Sequence, residues 1–380
     1  MRHPIAFIDL TRQQERIRNR LDAAIARVLD HGQYIMGPEV GELERSLADF
    51  CGARHVIACA NGTDALLLAL IAKDLRAGDA VIMPSFTFCA TAEPVSLLGG
   101  VPIFADVLGD TFNLDPESLK AAVVTARRLG LPLRGVISVD LFGQPCDYDA
   151  IEAVVRENSL WLICDAAQAF GATYRRRKVG TIGNITTTSF FPAKPLGCYG
   201  DGGAVFTDED ETAAIIRSLR VHGQGKDKYD NVRVGINGRL DTIQAAILLE
   251  KLAIFADEIE ARDRAAARYD ELLPSGIKRP VVIDDATSVW AQYTVQTDDR
   301  DDWLTRLKRL GVPAAIYYAR PLHRQPAYER HPRADATLPA TDRLVSAVLS
   351  LPMHPYLTVE DQARIAASLR SNELLMSEPG

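Results

Sequence analysis

Short apolar runs alternate with amphipathic stretches through the first two thirds of this chain. Runs rich in Val, Ile and Phe predict strands at His55–Ala58, Ala80–Met83, Val101–Ala105, Gly135–Val139, Leu160–Cys164, Thr187–Phe190 and Ala204–Thr207. Between most of them apolar residues recur at helical spacing, predicting helices at Thr63–Lys73, Ala90–Leu98, Pro116–Leu129 and Tyr148–Asn158. This alternation predicts an α/β domain: a mostly parallel seven-stranded sheet covered by helices on both faces, in three αβα layers. Two amphipathic helices, Arg12–Asp30 and Glu39–Phe50, precede the sheet. After it, Asp241–Leu273 reads as one long, charged, alanine-rich helix, ended by Pro274, Ser275 and Gly276. The pattern then changes. Residues 289–296 alternate like a half-exposed strand, Asp301–Leu310 looks helical, and Leu338–Leu349 and Val359–Ser371 read as closing helices. Glu373–Gly380 is expected to fray. The division that follows is a large α/β domain over 1–250, with an N-terminal helical segment, and a small α+β domain over 251–380.

Composition narrows the class. The 380 residues are 47% apolar and 24% charged, enough to build a sizeable core. Net charge is −7, from 43 basic and 50 acidic residues, and no basic stripe suggests a nucleic-acid partner. The longest clean apolar run, Ala65–Ala72, is far too short to span a bilayer. Arg2, His3, Asp9, Arg12, Glu15 and Arg16 crowd the N-terminus, so no signal peptide is expected. The six cysteines form no CxxC pair, and the seven histidines form no HExxH motif. A metal site is therefore not expected, and the thiols read as core filler in a reducing cytosol.

Three features carry candidate chemistry. Asn61-Gly62-Thr63-Asp64-Ala65 follows an apolar run and opens a helix. Backbone N–H groups point outward there, so an anion can dock, although a plain helix cap reads the same way. There is no Walker A loop, since Gly225-Lys226 is followed by Asp227, and no GxGxxG follows a strand. Asp165 ends the run Trp161–Cys164, at the strand end where open α/β sheets bind ligands. It serves equally well as a helix cap or as the partner of a positively charged ring nitrogen. Lys194 lies in an apolar setting between Pro192 and Pro195, where desolvation would lower its pKa toward nucleophilicity. The alternative is a lysine snorkelling from a strand edge. The order is informative: a helix-start anion site, a strand-end Asp, then a lysine 29 residues later. That is the wiring of a pyridoxal phosphate site, in which the lysine bonds the aldehyde and the carboxylate keeps the ring nitrogen protonated.

The chain resembles the DegT/DnrJ-type sugar aminotransferases, fold-type-I pyridoxal phosphate enzymes that act on nucleotide-linked keto-sugars. The shared stretches are Asn61–Ala65 (NGTDA), Pro84–Glu93 (PSFTFCATAE), Glu93–Asp106, Asp165–Gly171 (DAAQAFG), Ser189–Gly203 (SFFPAKPLGCYGDGG), His222–Gln224, Gly235–Leu240 (GINGRL) and Leu351–Leu357 (LPMHPYL). Within the family, His31–Val40, Lys194–Gly203 and Leu351–Leu357 look most like enzymes that aminate C3 of UDP-N-acetyl-3-oxo-glucuronic acid, on the route to surface-polysaccharide sugars. The resemblance makes Lys194 the Schiff-base lysine and general base, with glutamate as amino donor. Asp165 would pair with the ring nitrogen, Gln168 with the ring hydroxyl, and Phe88 would stack on the ring. Gly62, Thr63 and Ser189 would hold the phosphate, joined by Asn237 from the neighbouring subunit of a homodimer. Arg239 is the first candidate for the uronate carboxylate. One departure stands out: a His-Tyr pair is expected in the uronate enzymes where this chain has Tyr317-Tyr318. Tyrosine hydroxyls, with Arg320 and His323 nearby, could supply the missing contacts. The alternatives are an aminotransferase for a dTDP- or UDP-linked 6-deoxy keto-sugar, and a non-catalytic sugar-nucleotide-binding protein on the same scaffold. A sugar dehydratase relative would carry histidine in place of Lys194.

Overall fold

A computed structural model describes residues 3–227 and 229–370, and the expected frayed tail lies outside them. Two helices come first, α1 (Leu10–His31) and α2 (Pro38–Cys51). There follow β1 (His55–Cys59), α3 (Gly62–Ala72), β2 (Ala80–Pro84), α4 (Glu93–Leu97), β3 (Val101–Ala105) and α5 (Pro116–Arg128). Next come β4 (Leu133–Val139), α6 (Tyr148–Glu157), β5 (Trp161–Asp165), a small hairpin β6 (Thr173–Tyr174) and β7 (Arg177–Lys178), then β8 (Ile185–Ser189), β9 (Gly203–Thr207) and α7 (Asp210–Leu219). The long α8 (Thr242–Leu272) leads to β10 (Tyr293–Gln296), α9 (Arg300–Arg309), α10 (Pro339–Ala347), β11 (Val348–Leu351) and α11 (Val359–Ser368).

The large sheet has seven strands in the order β1-β9-β8-β5-β4-β2-β3, and only β9 runs against its neighbours. All seven anticipated strands are present. Their side chains alternate between two cores, as strand periodicity requires. Ile57, Cys59 and Val205 pack into the core shared with α3, α5, α6 and α7. Val56, Ala58, Ala204 and Phe206 pack into the opposite core with α2 and α8. Because six strands are parallel, the carboxyl ends of β1, β2, β4, β5 and β8 open at one edge. Open α/β sheets place their ligands at that edge.

Three expectations need correcting. Ala90–Leu98 is not one helix but a 3₁₀ turn, Cys89–Thr91, followed by α4. Pro94, lacking an N–H, starts the new helix near its first turn. Leu338–Leu349 is helical only to Ala347, and Val348–Leu351 forms a strand. Residues 289–296 are not half-exposed: the strand is Tyr293–Gln296 and is buried throughout. Its pairing with β11 explains both differences. Tyr293 and Val295 face a C-terminal core, and Thr294 on the other face hydrogen-bonds Ser350 at 2.8 Å.

Helix α8 runs unbroken across residues 250–251. Ala245, Leu248 and Phe255 belong to the sheet-side core, and Ala265, Ala266 and Tyr269 to the C-terminal core. The N-terminal segment reaches that same C-terminal core through Ile5, and the carbonyl of Phe7 accepts from the Met353 N–H at 3.2 Å. All six cysteines are free, and five are buried. Among the described residues no helix is long and apolar enough to cross a membrane.

Candidate active site

A cavity of about 710 Å³ opens at the carboxyl edge of the sheet. Its floor begins with the turn from β1 into α3. Asn61 caps α3, its side-chain oxygen accepting from the Asp64 N–H at 2.7 Å. That leaves the N–H groups of Gly62 and Thr63 at the helix start, where the backbone partial charges favour an anion. The approach of neighbouring chain is close. A Cβ on Gly62 would lie 2.7 Å from the Cβ of Ser189, and one on Gly203 would lie 2.4 Å from the Asn61 carbonyl oxygen. The glycines therefore let the β1 turn, the end of β8 and the start of β9 converge, and Gly62, Thr63 and Ser189 all line the cavity.

Asp165 ends β5 and is 7% exposed. Its carboxylate accepts from the Ala167 N–H at 3.1 Å and the Thr91 hydroxyl at 3.4 Å, and Thr91 in turn meets Thr87 at 3.1 Å. Burial pushes this carboxyl above its usual range, and the Ala167 N–H, the Lys194 charge and Thr91 pull it back. Lys194 is partly buried on the loop between β8 and β9. Burial lowers its amine pKa, opposed by the Asp165 charge. A carboxylate and an amine of this kind facing one cavity can hold a protonated ring nitrogen and supply a nucleophilic amine.

Gln168 has both ends of its amide engaged. Its oxygen accepts from the Phe142 N–H at 2.7 Å, and its NH2 donates to the Tyr318 hydroxyl at 3.1 Å. Burial raises the Tyr318 phenol well above its usual range, so it stays a neutral hydroxyl. Phe88 is 54% exposed at the cavity, its ring centroid 6.1 Å from that of Tyr318. Tyr317 lies beside it and touches the Phe7 ring at 6.4 Å.

The cavity thus brings together Gly62, Thr63, Phe88, Asp165, Gln168, Ser189, Lys194, Tyr317 and Tyr318. Asn237 and Arg239 are not among its lining residues. They line a second cavity of about 390 Å³, which adjoins the first at Asp201. The Arg239 Nε is buried there without a partner. His323 lines neither cavity. It is 4% exposed, its Nδ1 lies 2.7 Å from the Ser85 hydroxyl and its Nε2 lies 3.4 Å from Asp342. Arg320 is exposed. Sequence reasoning missed Ile8, Thr87, Thr91 and Gln292. Thr87 and Thr91 stand inside the family stretch Pro84–Glu93 but carry no role by residue type alone, Ile8 and Gln292 stand in no such stretch, and the fold brings all four to the site.

The fold is that of the fold-type-I transferases, a class that works with pyridoxal phosphate. Residues 15–370 match the model of the DegT/DnrJ/EryC1/StrS aminotransferase family, and the chain belongs to it. The UDP-2-acetamido-2-deoxy-3-oxo-D-glucuronate aminotransferase of Pseudomonas aeruginosa is 49% identical over 366 residues, covering 96% of this chain and 99% of that protein. A crystal structure of a DegT DnrJ EryC1 StrS aminotransferase from Brucella abortus superposes with a TM-score of 0.95 at 50% identity, covering 96% and 98% of the two chains. NtdA from Bacillus subtilis, solved with bound cofactor PMP, has a TM-score of 0.84 at 30% identity, covering 96% and 82%.

Proposed function

We propose that this enzyme transfers the amino group of an amino acid, glutamate by resemblance, to C3 of UDP-2-acetamido-2-deoxy-3-oxo-glucuronic acid in the cytosol, with pyridoxal phosphate as cofactor. The observation that carries the cofactor is the convergence of Lys194, Asp165 and the Asn61–Asp64 helix start on one cavity. The likeness to the Pseudomonas aeruginosa enzyme carries the substrate. When bound, the cofactor supplies an aldehyde that captures amines and a protonated ring that draws electrons from the carbon bearing nitrogen.

The chain's own residues do the rest. Gly62, Thr63 and Ser189 would grip the phosphate through the helix start and the hydroxyl at the end of β8. Asp165 would hold the ring nitrogen protonated, and Gln168 would meet the ring hydroxyl. Phe88 would stack on the ring. The Nζ of Lys194, its amine pKa lowered by burial, would take and return the proton of the carbon that exchanges its amine.

A homodimer with shared sites belongs to this reading. Among the described residues lining the cavity, Lys194 is the only cation, against Asp64, Asp165 and Asp201. A phosphate, a donor carboxylate and a uronate would all have to bind there, and an unpaired anion away from water is costly. Asn237 and Arg239 of a second copy would supply the missing donors. Complementation tests this. Lys194→Ala and Asn237→Ala/Arg239→Ala chains should each be inactive alone, and mixing them under subunit exchange should restore activity. No recovery with exchange confirmed would mean that each site is built from one chain.

The substrate's charge makes a further prediction. Arg239→Ala should weaken binding of the uronate substrate by roughly 2–5 kcal/mol, the range for truncating one partner of a buried charge pair. A neutral 6-deoxy keto-sugar should lose much less, and Tyr317 and Tyr318 should contribute only hydroxyl contacts. The donor half-reaction is measured separately, because glutamate brings a carboxylate of its own. Equal losses for both sugars would remove Arg239 from uronate recognition.

A further inference from the structure

Two cavity-lining glutamines from distant parts of the chain hang on a single residue. The Phe142 N–H donates to the Gln168 oxygen at 2.7 Å, and the Phe142 carbonyl accepts from the Gln292 N–H at 3.3 Å. Phe142 has φ +62°, a left-handed conformation that a bulky residue adopts only when its surroundings hold it there. Much of that hold comes from Asn113, which is 2% exposed. Its Oδ1 accepts from the Leu141 N–H at 2.9 Å, and its Nδ2 donates to the carbonyls of Gln144 at 3.2 Å and Pro145 at 3.1 Å. One side chain thus grips both arms of the turn around Phe142. Asp140 secures the base, its Oδ1 accepting from the Cys146 N–H at 2.9 Å and the Tyr148 hydroxyl at 2.6 Å. On the far side the Gly143 carbonyl accepts from the Val289 N–H at 2.9 Å. A Cβ on Gly143 would lie 2.7 Å from the Trp290 nitrogen, so the turn and the segment before β10 are in close contact.

We propose that Asn113, which does not itself line the cavity, is a positioning residue for the transamination. By fixing the turn at Phe142 it sets which end of the Gln168 amide faces the ring hydroxyl, and it couples that contact to the wall carrying Gln292. With the oxygen of Gln168 committed to Phe142 and one hydrogen of its NH2 to the Tyr318 hydroxyl at 3.1 Å, the amide presents its second N–H, a donor. A donor beside the ring hydroxyl favours the ionised form of that hydroxyl, so release of the turn changes how the bound cofactor titrates. The inference rests on the cofactor reading above.

The test is the absorption spectrum of the bound cofactor against pH. It is recorded for wild type, Asn113→Asp, Asn113→Ala, Gln168→Ala and the Asn113→Ala/Gln168→Ala pair. Asn113→Asp keeps size and the Leu141 contact but turns the Nδ2 donor into an acceptor facing two carbonyls. Both Asn113 variants should shift the pH midpoint in the same direction as Gln168→Ala, and the double variant should shift no further than Gln168→Ala alone. Their kcat should fall roughly 10- to 100-fold, as for lost support of a functional ligand, with little change in KM. Hydrogen exchange of the Phe142 amide gives a readout that needs no Asn113 variant: it should be slow in wild type and faster in Gln168→Ala. A wild-type midpoint in both Asn113 variants, additive shifts in the double variant, or equal exchange in the last comparison would overturn the proposal. Failure of borohydride to fix the cofactor to Lys194 in wild type would overturn the cofactor reading instead.

Discussion

Lys194→Ala is expected to abolish transamination, with a loss of at least about 10⁴-fold, the upper range for a positioned acid–base group. The loop that carries the side chain is held by its backbone. The Lys194 N–H donates to the Phe191 carbonyl at 2.8 Å, and the Cys198 N–H to the Phe190 carbonyl at 2.8 Å. Alanine preserves both bonds, so the fold and the cavity should survive while the amine is lost. In wild type, borohydride reduction followed by peptide mapping should place the cofactor on the peptide containing Lys194. Label on any other lysine would contradict the assignment.

Asp165→Asn should keep the fold and lose on the order of 10²-fold or more in the rate of amine exchange, comparable with removing one electrostatic partner from an active site. Asparagine preserves the size of the side chain and can still accept from the Ala167 N–H, a bond of 3.1 Å in the wild type. What it lacks is the negative charge that keeps a ring nitrogen protonated. The buried setting makes that charge count, because few waters are available to replace it. A helix cap alone would tolerate the change. Single-turnover rates near those of wild type would therefore reduce Asp165 to a structural residue.

Most of the sheet was legible from sequence because its strands are apolar runs bounded by turn residues and repeated between helices. The strand Val348–Leu351 was not. Leu344 to Leu351 continues a helical apolar pattern with no glycine or proline at Ala347, and the change of structure comes from pairing with β10. The site was legible where a residue type carries chemistry in a local motif: a lysine in an apolar loop, a carboxylate ending a strand, a glycine opening a helix. His323 shows the limit of that reasoning. Its chemistry suits substrate binding, yet the fold turns it toward Ser85, where it ties the segment after Tyr318 to the end of β2. Asn113 and Gln292 gave no signal, and Thr91 only its place in the Pro84–Glu93 stretch, because each acts through long-range contacts that no local pattern encodes.

The most direct test of the central claim is a single half-reaction. Glutamate loads the enzyme with an amine, the donor is removed, and nucleotide-linked keto-sugars are offered one at a time while the cofactor's absorption is followed. The UDP-linked 3-keto uronic sugar is predicted to restore the starting spectrum in one turnover, ahead of neutral 6-deoxy sugars, and to yield the 3-amino product. A spectrum that no nucleotide keto-sugar restores, or one restored fastest by a neutral 6-deoxy sugar, would contradict the account.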